Sequence, residues 1–286
     1  MHLWAFVQAL LTLFTMTPEQ KAALVVATTE RPGVFTSAAG LRFADQEGGL
    51  VKALPDAPPW RAARDFATAD EAFAAGRATR RALRRAAVDI AFAPVLDAPD
   101  GPLGSRQFRR GSIGVAFARG LGDAACPKHF PGLGAAAVST DERPHVDAHV
   151  RPQDIAPFRA AVSAGVPCVM VGHAFYGTRF RASLEPTTYA RLRALGFDGV
   201  AVTDSLSLVR AAPVERWAAQ AARAGADMLL FTSPLHARRA VRALVRATAS
   251  SIHTSCASCD CARGSAATDN ERPTRGRLIL ASWLDF

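Results

Sequence analysis

The chain has 286 residues, 49% of them hydrophobic, and a formal net charge of +9. This length and apolar content suffice for one large core or two smaller ones. The positive excess is mostly arginine and lies in helical stretches such as ATRRALRRAA (78–87), where arginine stems cover apolar helix surface. We therefore expect a solvated helix face there, and no nucleic-acid partner.

The chain begins with an apolar segment, MHLWAFVQALLTLF (1–14). No Lys or Arg precedes it and no Ala-x-Ala site follows it, so it lacks the flanks of a signal peptide. It is also too short to cross a bilayer, and we expect no stable membrane span. We treat residues 1–15 as an extension and expect a cytoplasmic protein. The alternative is secretion or membrane association, if residues 1–15 act as a signal.

From residue 60 to about 245, amphipathic helix patterns alternate with short apolar runs rich in β-branched residues. The first helix, 64–86, places Phe66, Phe73 and Leu83 on one face, and Thr68 with Glu71 fits a capping box. The predicted strands are 22–28, 41–46, 88–97, 125–129, 166–173, 199–204 and 226–233. The later predicted helices are 152–165, 186–196, 214–225 and 236–247.

Continuously apolar strands separated by helices indicate a parallel sheet with its outer side covered. Seven such strands favour an α/β fold of the (β/α)8 TIM-type barrel kind over an open sheet. No G-x-G-x-x-G follows the first strand, which argues against a dinucleotide-binding fold. We assign the barrel to residues 16–247 and expect it to be shortened or irregular near its N-terminus.

The segment 248–286 is small, polar and aperiodic through most of its length, and we expect a disordered tail. Its cysteines, Cys256, Cys259 and Cys261, have no second Cys/His cluster at a regular spacing, so we expect no metal site and no cofactor. The other two cysteines, Cys126 and Cys168, lie in apolar strand-like runs. We expect both to be reduced core residues.

Polar or ionisable residues end almost every predicted strand. They are Asp45, Asp97, Lys128, His129, His173, Asp204, Thr232 and Ser233. In a parallel barrel all these ends face one way, and barrel enzymes carry their chemistry on that face. A lone Asp after a strand is often a helix N-cap, but the repetition predicts an active site.

Six motifs occur in one order along residues 41–232. They are FADQEGGLV (43–51), VDIAFAPVLD (88–97), GSRQF (104–108), CPKHFPGLG (126–134), PFRAAVSAGVPCVMVGHAFY (157–176) and GFDGVAVTDSLSL (196–208). Together they resemble glycoside hydrolase family 3, specifically its β-N-acetylglucosaminidase branch in the actinobacterial-type KHFPGLG variant. The resemblance implies a (β/α)8 barrel and a retaining exo-glycosidase. Its substrate would be a terminal β-linked N-acetylglucosamine of cell-wall or chitin-type saccharides.

The resemblance also implies roles for individual residues. Asp204, in TDSLSL, corresponds to the catalytic nucleophile, which forms a covalent glycosyl-enzyme. Four residues correspond to positions that bind sugar hydroxyls: Asp45, Arg106, Lys128 and His129. His173 corresponds to the strand-end histidine of the family and is expected to line the same pocket. We interpret Asp97 as structural, at the edge of the site.

The general acid/base is less well matched. The branch carries Asp-Ser-His on a loop after the KHFPG motif, whereas this chain has Ser139-Thr140-Asp141 in GLGAAAVSTDERPHVD (132–147). The variant with Asn-Thr-Asp is closer and implies that Asp141 takes the acid/base position. The alternatives are that Asp141 caps a turn, or that His145 on the same loop is the acid.

The barrel departs from the family near its start. The family has a strand and two helices between its first strand and DQEGG, and the segment TTERPGVFTSAAG (28–40) cannot hold them. This departure and the altered loop leave a second hypothesis open, a degenerate barrel that binds saccharide without turnover. In both cases the expected partner is a saccharide, and we expect a monomer.

Overall fold

The structure is a computed structural model that describes residues 16–209 and 213–257. The predicted extension 1–15, and the predicted tail from residue 258 onward with Cys259 and Cys261, lie outside the described residues. Within the described part, no helix is long and apolar enough to cross a membrane.

The elements alternate along the chain as the sequence pattern predicts. The helices are α1 (Pro18–Leu24), α2 (Ala69–Arg85), α3 (Gly111–Leu121), α4 (Pro152–Ser163), α5 (Pro186–Arg193), α6 (Val214–Ala224) and α7 (Pro234–Ala257). The strands are β1 (Val26–Arg31), β2 (Val34–Ser37), β3 (Arg42–Ala44), β4 (Gln46–Gly48), β5 (Val51–Lys52), β6 (Ile90–Ala91), β7 (Cys168–Val171), β8 (Val200–Thr203) and β9 (Leu229–Phe231). Helix α7 continues past residue 247, where we expected the tail to begin.

The strands form a barrel. One sheet has the order β6–β3–β2–β1–β9, and β7 pairs in parallel with β8. Single parallel bridges join segment 125–130 to the β6 side and to β7, and join β8 to residue 228 just before β9. The bridged pairs are Ala91 with Ala125, Val95 with Lys128, Phe130 with Val171, and Val202 with Met228. Eight strand segments of the described chain therefore close a ring, which confirms the predicted barrel.

The barrel is irregular at its N-terminal side, as expected. β2 runs antiparallel to both β1 and β3, so a hairpin replaces the helical crossovers there. Residues predicted as the start of the first strand instead form α1. Thr17 and Gln20 make a reciprocal capping box and Pro18 opens the first turn, so local capping outweighs the strand propensity of the apolar run.

Helices α2 and α3 pack with their backbones in contact. A Cβ on Gly76 would lie 2.3 Å from the carbonyl oxygen of Phe117, and one on Gly120 would lie 2.3 Å from that of Phe73. Thr68 caps α2 by accepting a hydrogen bond from the amide of Glu71. Phe66 and Leu83 are buried as predicted, whereas Phe73 is 38% exposed because the glycine contact occupies this side of the helix.

The inside of the ring is filled by one layer of apolar side chains drawn from every strand segment. This interior layer consists of Ala27, Phe35, Phe43, Phe92, Cys126, Cys168, Met170, Val202, Met228 and Leu230. The ring of Phe92 stacks on that of Phe43 at 5.3 Å and is tilted against that of Phe35 at 5.7 Å. The barrel is thus a packed core with two separate mouths.

Two cysteines of the interior layer depart from expectation. Cys126 and Cys168 are joined in a disulfide, with their Cα atoms 4.5 Å apart, and are not the reduced pair that we expected. The barrel order makes segment 125–130 the neighbour of β7, which brings together residues that are 42 positions apart in sequence. Their individual apolar surroundings do not reveal this adjacency.

A cavity of about 440 Å³ lies at the N-terminal mouth of the barrel. Its lining includes the apolar side chains of Leu41, Leu83, Val88 and Ile90. Arg80 and Asp123 line it as well. None of the predicted site residues lines it. The candidate chemistry lies at the opposite mouth, where the strands end.

Candidate active site

The C-terminal mouth gathers the predicted site residues into one connected group. Lys128 is nearly fully buried, and its Nζ lies 2.8 Å from Asp45 Oδ1 and 2.6 Å from Glu47 Oε1. Burial alone would lower the pKa of Lys128. The carboxylates of Asp45 and Glu47 outweigh burial and raise this pKa despite the repulsion of nearby Arg106. Lys128 is therefore a firmly protonated donor in the pocket floor.

Glu47 is the main site residue that the sequence analysis missed. Its carboxylate accepts from Arg106 Nε at 2.8 Å and from Arg106 Nη2 at 2.9 Å, in addition to its contact with Lys128. Burial would raise its pKa, but the charge of Lys128 and the bidentate Arg106 lower it to about 2. The strand period of two could have indicated it, because Asp45 and Glu47 project to the same side.

Asp45 has a different electrostatic environment from its neighbour. Burial raises the pKa of Asp45, the charge of Lys128 opposes that rise, and the carboxylates of Glu47 and Asp204 add to it. Asp45 therefore shares Lys128 with Glu47 while Glu47 holds Arg106 as well. The pocket floor alternates acidic and basic groups in the sequence Asp45, Lys128, Glu47, Arg106.

His129 is oriented by Asp97, whose carboxylate is fully buried. Asp97 Oδ2 lies 2.7 Å from His129 Nδ1 and accepts from the His129 amide, while Oδ1 accepts from the Leu133 amide at 2.6 Å. Burial would lower the pKa of His129, but the charge and hydrogen bond of Asp97 outweigh it and raise this pKa. Asp97 thus ties His129 to the base of the 132–147 loop.

His173 is buried behind the end of β8. Its Nε2 lies 2.9 Å from the Ser205 carbonyl oxygen, and its Nδ1 lies 2.7 Å from Ser183 Oγ. Burial lowers the pKa of His173 and favours the neutral ring. A neutral ring that donates from Nε2 and accepts at Nδ1 satisfies both contacts. His173 supports the backbone that follows Asp204.

Asp204 directly follows β8, and its amide donates to the Val171 carbonyl at 2.8 Å. Its Oδ1 accepts from the Ser205 amide at 2.7 Å. Burial would raise the pKa of Asp204, but the positive charges of His129 and Lys128 and the hydrogen bond from the Ser205 amide lower it. The result is an ionised carboxylate that accepts one backbone hydrogen bond and lies near the charges of His129 and Lys128.

Asp141 lies at the rim of this group. Its side chain is 54% exposed, and Oδ2 is 3.6 Å from Arg106 Nη1. Its amide donates to Ser139 Oγ at 3.1 Å, so Ser139 caps this turn. The other loop candidate, His145, is 64% exposed, contacts Asp147 and stacks on the ring of Phe175. Asp141 is thus the loop candidate that reaches the charged network.

The arrangement suits a ligand with many hydroxyl groups. Lys128, Arg106 and His129 present donors, Asp45 presents acceptors, and Asp204 presents an ionised oxygen. Within residues 16–209 and 213–247, no cluster of three or more His, Cys, Asp or Glu side chains has a geometry that could hold a metal ion. The acidic groups at this mouth are instead neutralised by Lys128, Arg106 and His129.

Comparisons with known proteins agree with this geometry. The sequence model described as "Glycosyl hydrolase family 3 N terminal domain" matches residues 35–255. A "Beta-hexosaminidase" of Methylococcus capsulatus is 31% identical over 268 residues, covering 82% of this chain and 77% of the relative. Another, from Stenotrophomonas maltophilia, is 32% identical over 199 residues. That match covers 57% of this chain and 57% of the relative.

The fold has solved relatives as well. The crystal structure of a β-N-acetylhexosaminidase from Beutenbergia cavernae matches with a TM-score of 0.66 at 27% identity. That match covers 75% of this chain and 73% of the other. The similarity in fold therefore extends over about three quarters of each chain.

Proposed function

The chain belongs to glycosyl hydrolase family 3, and on that premise we propose that it is a retaining exo-glycosidase that removes a terminal β-linked N-acetylglucosamine. Cell-wall or chitin-type saccharides are the proposed substrates. The observation that carries the proposal is Asp204, a carboxylate at a barrel strand end whose pKa is lowered by the nearby charges of His129 and Lys128 and by the Ser205 amide. The hexosaminidase names of the relatives support the choice of sugar.

In the first step Asp204 attacks the anomeric carbon, and a carbon–oxygen bond to Asp204 forms as the glycosidic bond breaks. The leaving oxygen takes a proton from Asp141. In the second step Asp141 takes a proton from water, the water oxygen bonds to the anomeric carbon, and Asp204 is released. Two displacements at one carbon return the original configuration.

The remaining residues bind and orient the sugar. Lys128, Arg106 and His129 donate to its hydroxyl groups, and Asp45 accepts from them, which fixes the reacting carbon over Asp204. Asp141 is at the rim, so loop 132–147 carries it to the leaving oxygen. The contact between Asp141 Oδ2 and Arg106 Nη1 at 3.6 Å links this loop to the sugar-binding residues.

The test is release of nitrophenol from nitrophenyl β-N-acetylglucosaminide by the wild-type chain and Asp204→Ala. Nitrophenolate leaves with little protonation, so this substrate isolates the nucleophile from the acid. We expect turnover in the wild type and a loss of at least about three orders of magnitude in the variant, the scale seen when a nucleophile is removed. Exposed Asp56→Ala serves as the matched control and should keep wild-type turnover.

The stereochemistry gives an independent test of mechanism. NMR of the first product formed by the wild type should show the β-anomer, as retention requires. Release of the α-anomer would reject the covalent Asp204 intermediate. Full turnover by a folded Asp204→Ala would reject Asp204 as the nucleophile.

A second candidate function is saccharide binding without turnover. It is favoured by one observation, the position of Asp141, whose side chain is 54% exposed at the rim and contacts Arg106. A folded wild type that releases no nitrophenol, yet melts at a higher temperature with N-acetylglucosamine, would support this candidate over the enzyme.

A further inference from the structure

Glu47 occupies a place in the site that the proposed reaction does not use. Its side chain is 3% exposed, and both of its carboxylate oxygens are engaged by cations. Oε1 meets Lys128 Nζ at 2.6 Å and Arg106 Nη2 at 2.9 Å, while Oε2 meets Arg106 Nε at 2.8 Å. Both oxygens of this buried carboxylate therefore face the cations of the site.

The two cations that contact Glu47, Lys128 and Arg106, are those expected to bind the sugar. A lysine ammonium has three donors, and Asp45 and Glu47 engage Lys128 on two sides, leaving a third direction for a hydroxyl group. The bidentate contact fixes the guanidinium plane of Arg106, because a carboxylate matches the fork of Nε and Nη2. The Nη1 edge is thereby directed to Asp141 at 3.6 Å.

Charge explains why these cations need an anion between them. Lys128 and Arg106 are close enough to repel each other, and Arg106 opposes the rise in the pKa of Lys128. Asp45 contacts only Lys128 of the two in the described ion pairs. Glu47 bridges both, so its removal would leave Arg106 with the distant contact to Asp141 and nothing to fix its plane.

We propose that Glu47 is a positioning residue, which holds Lys128 and Arg106 in the geometry that binds the sugar and, through Arg106, sets the place of Asp141. This inference rests on the proposed function, since it concerns the same pocket. It assigns Glu47 no contact with the substrate and no proton transfer.

The experiment compares the full-length wild type with Glu47→Gln, which keeps the shape and removes the charge, and Glu47→Asp, which keeps the charge and withdraws it by one methylene. Steady-state kcat and KM are measured with nitrophenyl β-N-acetylglucosaminide, and the Kd of free N-acetylglucosamine is measured by calorimetry. The matched control is Glu215→Gln. Glu215 makes a similar two-contact pair with Arg239, at 2.6 and 3.2 Å, between α6 and α7 on the outer ring of helices.

Because a misplacement of about 1 Å can cost about 100-fold, we expect KM and Kd to rise by about 10- to 100-fold in Glu47→Gln. The value of kcat should change less, since the cations bind ground state and transition state alike. Glu47→Asp should lie between wild type and Glu47→Gln, and Glu215→Gln should match the wild type. A purely structural role would lower the melting temperature and leave KM and Kd unchanged.

Each outcome decides between these roles. A folded Glu47→Gln with wild-type KM and Kd overturns the inference while leaving the proposed function intact. If Glu47→Gln does not fold, Glu47→Asp decides, and wild-type constants in it overturn the inference. If the wild type binds the sugar without turnover, the Kd series alone gives the answer. A wild type that neither binds nor turns over sugar rejects both proposals.

Discussion

Opposite charges hold most of the side chains at the C-terminal mouth, and this pairing sets their protonation. Asp97 illustrates it, because a fully buried carboxylate accepts three hydrogen bonds from His129 and Leu133 and so fixes one strand end and one loop base. A buried carboxylate with this many donors is a rigid reference point. The proton on His129 depends on it.

Asp97→Asn should move the alkaline limb of kcat/KM to lower pH. Asp97 raises the pKa of His129 against the effect of burial, so without this charge burial prevails and the ring loses its proton earlier. The profile of kcat/KM between about pH 5 and 9 reports this free-enzyme pKa. Exposed Asp198→Asn is the control and should leave the limb in place.

The pKa of His129 also predicts how the stability difference between wild type and Asp97→Asn depends on pH. The pKa of His129 is raised on folding, so its contribution is complete below the unfolded value near 6.5 and is lost as pH rises through the folded value. The stability advantage of wild type over Asp97→Asn should therefore shrink across that window. An advantage that grows with pH would contradict the assignment of the proton to His129.

At this scale the sequence predicted which residues gather but not how they pair. Strand-end position was enough to place Asp45, Lys128, His129, His173 and Asp204 at one mouth. Partner choice was not visible, because it depends on distances across the barrel. The strand period of two could indicate Glu47 from Asp45, but not its pairing with Arg106, which lies 59 positions away in the sequence.

Among the elements, the α2–α3 contact shows backbone packing overriding helix propensity. Alanine is the better helix former by about 1 kcal/mol, yet an added Cβ at Gly76 would lie 2.3 Å from the Phe117 carbonyl oxygen. Overpacking commonly costs about 1–3 kcal/mol. The balance of helix propensity and overpacking decides whether Gly76→Ala raises or lowers the free energy of unfolding.

Gly76→Ala should lower the free energy of unfolding by about 1–2 kcal/mol, because the clash exceeds the propensity gain. Urea denaturation followed by circular dichroism measures it. Ala74→Gly, at an exposed position of the same helix, should cost about 1 kcal/mol through propensity alone. A stabilised Gly76→Ala would show that α2 and α3 can separate without penalty.

The elements that the sequence failed to predict share a cause. Helix α3 contains several glycines, which weaken a helix pattern, and its formation depends on the contact with α2. Strand β2 gave no prediction because it is short and belongs to a hairpin, in a segment that is too short for the helices of the family. In both cases tertiary contacts decide the local structure.

For the whole molecule, the interior layer joins all strand segments of the ring into one packed unit. Phe92 lies at its centre and is fully buried against Phe35 and Phe43. Removal of such a ring leaves a cavity that close-packed neighbours fill only in part. The cost is shared by the entire barrel.

Phe92→Ala should lower the free energy of unfolding by about 3–5 kcal/mol, the range for truncating a buried phenylalanine. The urea transition should remain single, since every strand segment contributes to the layer. Phe73→Ala, where the ring is 38% exposed, should cost clearly less. Equal losses in the two variants would contradict a shared interior core.

The predicted barrel architecture holds at this scale because alternation of apolar strands and helices leaves few ways to cover both sides of a sheet. Closure by single bridges at segment 125–130 could not be foreseen from hydrophobic patterning, since those residues form isolated pairings. The disulfide between Cys126 and Cys168 could not be foreseen either, because it depends on the same pairing of segment 125–130 with β7.

The interior layer also limits how a ligand can enter and leave the barrel. It fills the axis of the ring and so separates the C-terminal mouth from the cavity at the N-terminal mouth. In the proposed chemistry, the substrate therefore enters and the released sugar leaves on the same side of the barrel, its C-terminal mouth. A saccharide strand therefore cannot thread through the axis of the barrel.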